Sequence, residues 1–198
     1  MLGSTKGNTL QFIIDAIESG SLDAEIRIVI SNKEHAYILE RARKHHIRAL
    51  YISQKGKSRE EFDQEVSRIL ALEKIDLVLL IGYMRFLSKE FIGAWRYKVI
   101  NVHPSLLPKF AGGMDLNIHQ QVLDAHERVS GMTIHFVDEG ADTGHIILQK
   151  ECTVDPEETI DSLKAKVQLL EGEGFLEIIP LFAAGKITVR DSQVHIDD

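Results

Sequence analysis

The sequence predicts a doubly wound, Rossmann-like α/β fold with a mostly parallel sheet that becomes mixed in its C-terminal half. Helix patterns alternate with short apolar strand patterns through the first half of the 198-residue chain. In the second half, strand patterns at 132–137 and 145–153 are joined by a polar loop too short for a crossover helix, so these strands should pair antiparallel. The length is typical of one domain. We therefore expect residues 1–198 to form a single domain, with its ligand at the carboxyl ends of the parallel strands.

The first elements follow from the spacing of the apolar residues. Over 10–17 these residues recur three and four positions apart, which is typical of a helix with one buried face, and Gly20 ends it. Residues 25–30 alternate polar and apolar side chains, which predicts a strand. A second helix over 35–45 and a short strand over 49–52 continue the alternation.

The middle of the chain carries sharper signals. Ser58 and Glu61 form a capping box, which predicts the start of a third helix with an apolar stripe behind it. The unbroken apolar run at 77–81, ended by Gly82, is typical of a parallel strand buried on both faces. The remaining predicted elements are helices over 88–95, near 119–125 and over 159–178, strands over 98–102, 132–137 and 145–153, and a terminal hairpin over 186–196.

Composition narrows the class of protein. Lysine and arginine number 23 against 30 aspartates and glutamates, and the net charge of −7 disfavours general binding to nucleic acid or to an anionic membrane surface. The single cysteine, Cys152, cannot form an intrachain disulfide. No apolar run approaches the ~20 residues of a membrane span, and no targeting signal is evident. We expect a soluble cytoplasmic protein, either a monomer or a weak homodimer.

Residues 3–9 are glycine-rich and polar, and they come directly before the first predicted helix. Backbone N–H groups and the positive end of a helix can hold a phosphate at such a position. An ordinary glycine turn with a polar cap explains the segment equally well. The segment matches neither the dinucleotide-binding nor the Walker glycine pattern.

Two further segments could carry chemistry. Asn101 and His103 lie two residues apart at the carboxyl end of a predicted strand, so both side chains project from one face. One can donate hydrogen bonds and the other can shuttle a proton, although both could merely satisfy backbone groups. The acidic loop at 138–144 follows another strand, and it could equally be a solvated turn.

Metal and covalent catalysis find little support in the sequence. The nine histidines include no His-x-x-x-His pair on a helix, and there is no Cys-x-x-Cys motif, so no metal site is expected. Cys152 lies beside Glu151, whose charge should raise the pKa of the thiol. The Gly-x-Ser-x-Gly motif of serine hydrolases is absent.

Three segments resemble one family. They are Asn-Val-His-Pro-Ser-Leu-Leu-Pro at 101–108, His-Phe-Val-Asp-Glu-Gly-Ala-Asp-Thr-Gly at 135–144 and Gly-Tyr-Met-Arg-Phe-Leu-Ser at 82–88. All are similar to the phosphoribosylglycinamide formyltransferase family of the formyltransferase superfamily, which acts in purine synthesis. The likeness covers nearly the whole chain and implies the formyltransferase fold.

The resemblance implies a catalytic set of Asn101, His103 and Asp142. In the reaction it implies, the amine of glycinamide ribonucleotide attacks the formyl carbon of the co-substrate 10-formyltetrahydrofolate directly, without a metal or a covalent enzyme intermediate. Asn101 and His103 would stabilise the tetrahedral oxyanion. Asp142 would orient and charge His103 and help to move a proton from the amine toward the folate nitrogen.

The resemblance also implies two binding sets. The set for the ribonucleotide is Gly7, Asn8, Thr9, Gln168 and Glu171. The set for the folate is Met84, Arg85, Leu87, Asp138, Glu139 and Ala141. From the residues alone, Gln168 and Glu171 could be ordinary solvated helix positions, and Arg85 and Leu87 could be plain surface and core residues.

The chain departs from the family pattern in three places. Only Met1 and Leu2 precede Gly3, where the family has a buried strand of about five or six apolar residues. We therefore expect a truncated first strand, and an added upstream apolar segment should raise the melting temperature. The loop at 109–119 is about three residues longer than the common form, and Asn8-Thr9 replaces the commoner Ser-Asn.

Other functions remain as alternatives. Methionyl-transfer-RNA formyltransferase adds a basic C-terminal domain and formyltetrahydrofolate hydrolase adds an N-terminal regulatory domain, and a chain of this length has no residues for either. A hydrolase-like activity, or an inactive module that binds folate or nucleotide, stays open on the sequence alone.

Overall fold

The computed structural model of the protein describes residues 1–112 and 118–197. The strands are β1 (Leu2–Gly3), β2 (Val29–Ser31), β3 (Ala49–Tyr51), β4 (Val78–Ile81), β5 (Val99–His103), β6 (Val129–Phe136), β7 (Ile146–Thr153), β8 (Ile187–Arg190) and β9 (Gln193–Ile196). The helices are α1 (Asn8–Glu18), α2 (Tyr37–Lys44), α3 (Arg59–Leu72), α4 (Lys89–Ala94), α5 (Ile118–Asp124) and α6 (Ile160–Ala183).

Seven strands form one sheet in the order β3-β2-β1-β4-β5-β6-β7. The pairs from β3 to β5 are parallel, whereas β6 pairs antiparallel with both β5 and β7. The predicted parallel-then-mixed sheet is therefore confirmed. The terminal hairpin forms a separate two-stranded sheet, and its turn residues Asp191 and Ser192 both have positive φ, as a tight hairpin turn requires.

Helices cover both faces of the sheet, so the central strands are buried on both sides. One core packs α1, α2 and α6 against the sheet, with Phe175 and Ile13 fully buried. The other packs α3 and α4 against the opposite face around Phe62 and Phe91. This arrangement explains the continuous apolar run at β4, because a strand covered on both faces has no solvent-facing side.

Local signals set most of the helix boundaries. Ser58 accepts a hydrogen bond from the backbone N–H of Glu61, whose carboxylate accepts one from the N–H of Ser58, so the predicted capping box starts α3. α6 runs five residues beyond the predicted end, through Pro180. Proline removes only one helix hydrogen bond there, and the buried Ile178 and Ile179 keep that part of the helix packed on the core.

The strand predicted over 25–30 is wrong in its extent. The structure forms β2 only at Val29–Ser31, although residues 23–28 keep an alternating pattern of exposure. A strand needs a neighbour that supplies hydrogen-bond partners, and β1 has only two residues, with Leu2 paired to Ile30. The sheet therefore has no ladder beside 25–28. Part of the long loop predicted over 109–119 lies outside the described residues.

Candidate active site

β5 carries the two polar side chains that the sequence singled out. Asn101 and His103 lie on the same face of this strand, and His103 is its last residue. Antiparallel pairing places His135 of β6 directly opposite Asn101. The loop between β6 and β7 folds over this face and brings Asp142 to the same place.

The Asp142 carboxylate joins these groups. Its Oδ2 lies 3.3 Å from Nδ1 of His103, and its Oδ1 lies 3.5 Å from Nε2 of His135. The backbone N–H of Gly112 donates a hydrogen bond to Oδ2 over 3.0 Å. Asp142 itself has a φ of 56°, a left-handed conformation that aspartate tolerates better than most residues. The structure thus brings the three predicted catalytic residues together and adds a second histidine.

Burial and charge act in opposite directions on these groups. Burial lowers the pKa of His103, and this effect outweighs the neighbouring Asp142 carboxylate, which favours the charged ring. Burial alone would raise the pKa of Asp142, but the neighbouring His135 and His103 rings and the hydrogen bond from the Gly112 N–H outweigh it, so that pKa is lowered. Asp142 acts on His103 in the predicted direction, yet the net result favours a neutral imidazole beside an ionised carboxylate.

His135 fixes the orientation of the Asn101 amide. Its Nδ1 lies 2.8 Å from the carbonyl oxygen of Phe136, which can only accept, so Nδ1 carries a hydrogen. In the neutral ring Nε2 is then an acceptor, and the Asn101 Nδ2 at 3.2 Å donates to it. An amide nitrogen has two hydrogens. The second hydrogen of Asn101 is left for another acceptor in the site.

The Phe110 carbonyl occupies the other side of His103. It lies 3.0 Å from Nε2 and accepts a hydrogen bond from it. The Phe110 backbone has a φ of 59°, which is unusual for a bulky residue. The donor of His103 is thus already directed at an oxygen atom in this structure.

All six residues assigned to folate by resemblance line one cavity of about 240 Å³, together with Asn101, His103 and Asp142. Arg85 is neither a free surface residue nor a core residue. Its guanidinium lies over the Phe62 ring, 4.2 Å from the centroid, and donates to Gln54 over 2.5 Å. Leu87 is buried and still lines the cavity.

The glycine-rich loop and α6 meet at the start of α1. Gly7 precedes the helix with a φ of 65°, and a Cβ there would collide with Ile38. Both the backbone conformation and the lack of space therefore require glycine. The Asn8 Nδ2 donates to Gln168 over 3.1 Å, and the Thr9 hydroxyl donates to Glu171 over 2.7 Å. Four of the five residues assigned to the ribonucleotide therefore form two contacting pairs, Asn8 with Gln168 and Thr9 with Glu171.

Glu171 is buried, not solvated. Its desolvation raises the pKa to about 7, against the opposing effect of the Thr9 hydroxyl. Among residues 1–112 and 118–197, no group of three or more His, Cys, Asp or Glu side chains is arranged to hold a metal ion. No helix in the described part of the chain is long and apolar enough to cross a membrane.

Comparison with known proteins decides the family. Residues 1–179 match the family described as formyl transferase. The chain belongs to the formyl transferase family. A phosphoribosylglycinamide formyltransferase of Haemophilus influenzae is 36% identical over 198 residues, which is all of this chain and 92% of that protein. The predicted family is thus confirmed.

Solved structures of the formyl transferase family share the fold. The glycinamide ribonucleotide transformylase 1 of Symbiobacterium toebii has a TM-score of 0.93 at 36% identity, over all of this chain and 92% of that one. A formyltetrahydrofolate deformylase of Pseudomonas syringae has a TM-score of 0.89 at 26% identity, but this chain covers only 64% of it. The predicted formyltransferase fold is confirmed.

Sequence reasoning missed Arg41, which lies on α2 beside the glycine-rich loop of this formyl transferase. Its guanidinium donates to the Asn8 side chain over 3.3 Å and to Gln11 over 2.6 Å, and its Nε lies 3.4 Å from the Lys6 carbonyl. Nothing in the local sequence around 41 indicates this contact, because it depends on how α2 packs against α1. It places a positive charge at the predicted phosphate site.

Proposed function

We propose that this protein transfers the formyl group of 10-formyltetrahydrofolate to the amine of glycinamide ribonucleotide in purine synthesis. One observation carries the proposal: Asn101, His103 and Asp142 form part of the wall of the cavity that the folate-binding set also lines. An electrophilic formyl group held by that set lies next to two hydrogen-bond donors and one carboxylate. This combination suits acyl transfer without a covalent intermediate.

In the first step the amine nitrogen attacks the formyl carbon, and the carbonyl oxygen becomes an oxyanion. The Asn101 amide donates its second hydrogen to this oxyanion, while His135 holds the first. His103 donates from Nε2, and the oxyanion replaces the Phe110 carbonyl as its acceptor. Two donors held rigidly at the end of a buried strand need little reorganisation during the reaction.

In the second step the bond from carbon to the folate nitrogen breaks. The attacking amine loses a proton, and the departing nitrogen gains one, so charge and atoms balance. Asp142 is suited to relay this proton because hydrogen bonds keep its pKa low and the carboxylate ionised. It also stabilises the protonated form of the His103 ring, whose Nδ1 lies 3.3 Å from its Oδ2.

The ribonucleotide binds where the glycine-rich loop and α6 meet at the start of α1. The phosphate lies against Gly7, Asn8 and Thr9 at the positive end of α1, where no side chain caps the helix and the first backbone N–H groups have no partner within it. Gln168 and Glu171 then face the phosphate and the ribose, since they contact Asn8 and Thr9 directly.

The wider setting follows from the same proposal. The protein acts as a single domain on small molecules in the cytoplasm, with formyl folate as co-substrate and without a metal, a nucleic acid or a membrane. It works as a monomer or a weak homodimer. The small cavity and the acidic net charge of −7 support this description.

The test is the absorbance change when 10-formyl folate loses its formyl group, recorded with and without glycinamide ribonucleotide. The proposal requires a signal that depends on the ribonucleotide. A signal independent of the acceptor would identify a hydrolase, and a folded protein that binds both ligands without turnover would identify a binding module. Either result would overturn the proposal.

His103→Ala tests the mechanism within the same assay. Turnover should fall by ~10²- to 10³-fold, because one oxyanion donor is lost, while folding and substrate affinity stay close to those of the parent protein. His195→Ala is the matched control, since His195 is exposed and lies on β9 in the separate two-stranded sheet. Near-normal turnover in His103→Ala would end the proposed role.

A further inference from the structure

The segment 82–88 joins β4 to α4, and none of its residues belongs to a helix or a strand. It forms one wall of the cavity that the folate-binding set lines. A segment without helix or strand hydrogen bonds needs partners elsewhere to fix its conformation. At its amino end the Gly82 carbonyl accepts from the Ser4 N–H, and the Met84 N–H donates to the Ser4 hydroxyl. The partners of the later residues come from α3.

Two adjacent residues of α3 hold the later part of the segment. The Phe62 ring lies 4.2 Å from the Arg85 guanidinium carbon. The Asp63 Oδ2 accepts a hydrogen bond from the backbone N–H of Ser88 over 2.5 Å. The Ser88 hydroxyl in turn accepts from the N–H of Phe91 and caps α4. The Asp63 carboxyl therefore fixes the point at which the segment ends and the helix begins.

The position of Asp63 is unusual for a carboxyl. Its residue is 1% exposed, and its neighbours Phe62 and Val66 belong to the core that packs α3 and α4 against the sheet. Burial raises its pKa, against the opposing effects of the Ser88 N–H and the Arg85 guanidinium. Aspartate is rarely buried to this degree, because desolvation of the carboxyl is costly. The contacts that it makes with the segment 82–88 offset that cost.

We propose that Asp63 is a positioning residue for the folate co-substrate, an inference that rests on the proposed function. The peptide unit between Leu87 and Ser88 is planar, so a bond to the Ser88 N–H also sets the direction of the Leu87 carbonyl. Leu87 is buried and lines the cavity. Asp63 thus acts on the folate through the segment 82–88. Without its carboxyl the segment adopts the binding conformation only part of the time, which weakens the apparent affinity in proportion.

The experiment measures the binding of 10-formyl folate to the full chain by titration calorimetry. Asp63→Ala removes the acceptor, and the Kd should rise roughly tenfold, as for a segment that is competent about one tenth of the time. Asp63→Asn keeps an oxygen that can accept from Ser88. Its Kd should stay within about threefold of the parent value, so the conservative variant restores binding.

Ser67→Ala is the matched control. Ser67 lies four residues after Asp63 on the same face of α3, and its hydroxyl accepts from Trp95 Nε1 over 2.8 Å at the end of α4. This variant removes a bond that holds α4 to α3 but lies outside the segment 82–88. Its Kd for 10-formyl folate should equal that of the parent protein. An equal loss of affinity in Ser67→Ala and Asp63→Ala would overturn the inference, because it would show a general effect of loosening α4.

Steady-state kinetics separate positioning from a loss of folded protein. In Asp63→Ala the KM for the folate should follow the Kd, while kcat and the KM for glycinamide ribonucleotide stay within about twofold, because the bond to Ser88 does not involve Asn101, His103 or Asp142. Parent affinity in Asp63→Ala, or no restoration in Asp63→Asn, would overturn the inference. Folate binding without transfer to the ribonucleotide would overturn the proposed function alone, since the calorimetry still decides the role of Asp63. A parent protein that does not bind 10-formyl folate would overturn both.

Hydrogen exchange in the parent protein needs no variant and covers the case in which Asp63→Ala does not fold. Relative to their intrinsic rates, the Ser88 amide should exchange at least tenfold more slowly than the amide of Phe86, whose side chain is exposed in the same segment. This difference is expected before any folate is added, because Asp63 holds the segment in advance. Exchange of the Ser88 amide as fast as that of Phe86 would overturn the inference.

Discussion

Glu171→Gln should remove a pH-dependent loss of stability. Burial raises the pKa of this carboxyl from its usual 4.5 to about 7, so between these values the folded protein binds a proton that the unfolded chain has released. The free energy of unfolding therefore falls as the pH rises through this window. At about 1.4 kcal/mol per pKa unit, the loss amounts to about 3 kcal/mol above pH 7. Glutamine is neutral at every pH, and its oxygen can still accept from Thr9.

Urea denaturation at about pH 5, 6.5 and 8 measures this difference. The single tryptophan, Trp95, is buried in the core beside α3 and reports on unfolding. The free energy of unfolding of the variant should exceed that of the parent protein by an amount that grows with pH. This difference should be small at the lowest pH and about 3 kcal/mol at the highest. Glu173→Gln is the control, because Glu173 lies on the same helix and its side chain is 48% exposed. A difference that stays constant over this pH range would refute the reasoning.

Two further predictions concern charges at the site. Arg41→Gln should raise the KM for glycinamide ribonucleotide roughly tenfold with little change in kcat, because a charge-assisted contact to the phosphate is lost. Steady-state kinetics measure both constants. A change confined to the KM for the folate would contradict the prediction. Asp142→Asn should lower the pKa of His103 further, because the carboxylate opposes the effect of burial. An NMR titration of the His103 ring measures this shift, and a raised pKa would be inconsistent with it.

The order of the elements could be predicted because each depends on neighbours in sequence. The capping box at Ser58 and the apolar run of β4 are local patterns, and both predictions are confirmed. The strand over 25–30 is different. Its side chains do alternate in exposure, but the hydrogen bonds of a strand depend on a neighbouring strand elsewhere in the chain. Only the two residues of β1 are available there, so the strand shrinks to Val29–Ser31.

The candidate site shows the same limit. Asn101 and His103 share a strand, and their spacing alone predicts a common face. His135 lies in one of the segments that resemble the family, but its contact with Asn101 depends on the register of β6 against β5. The Phe110 carbonyl at His103 depends on a loop conformation with positive φ, which the residue type does not favour. Residue identities are readable in sequence, whereas hydrogen-bond partners across strands are not.

Ser4 shows how one side chain holds the proposed site together at the carboxyl end of β1. Ser4 follows β1 directly; its N–H donates to the Gly82 carbonyl and its hydroxyl donates to Asn32 over 2.6 Å. The same hydroxyl accepts from the backbone N–H of Met84 over 2.9 Å. These bonds tie the glycine-rich loop at 3–9 to the segment 82–88. A single side chain therefore sets the distance between two segments that adjoin the proposed site, so the Ser4 contacts bear on the geometry of that site.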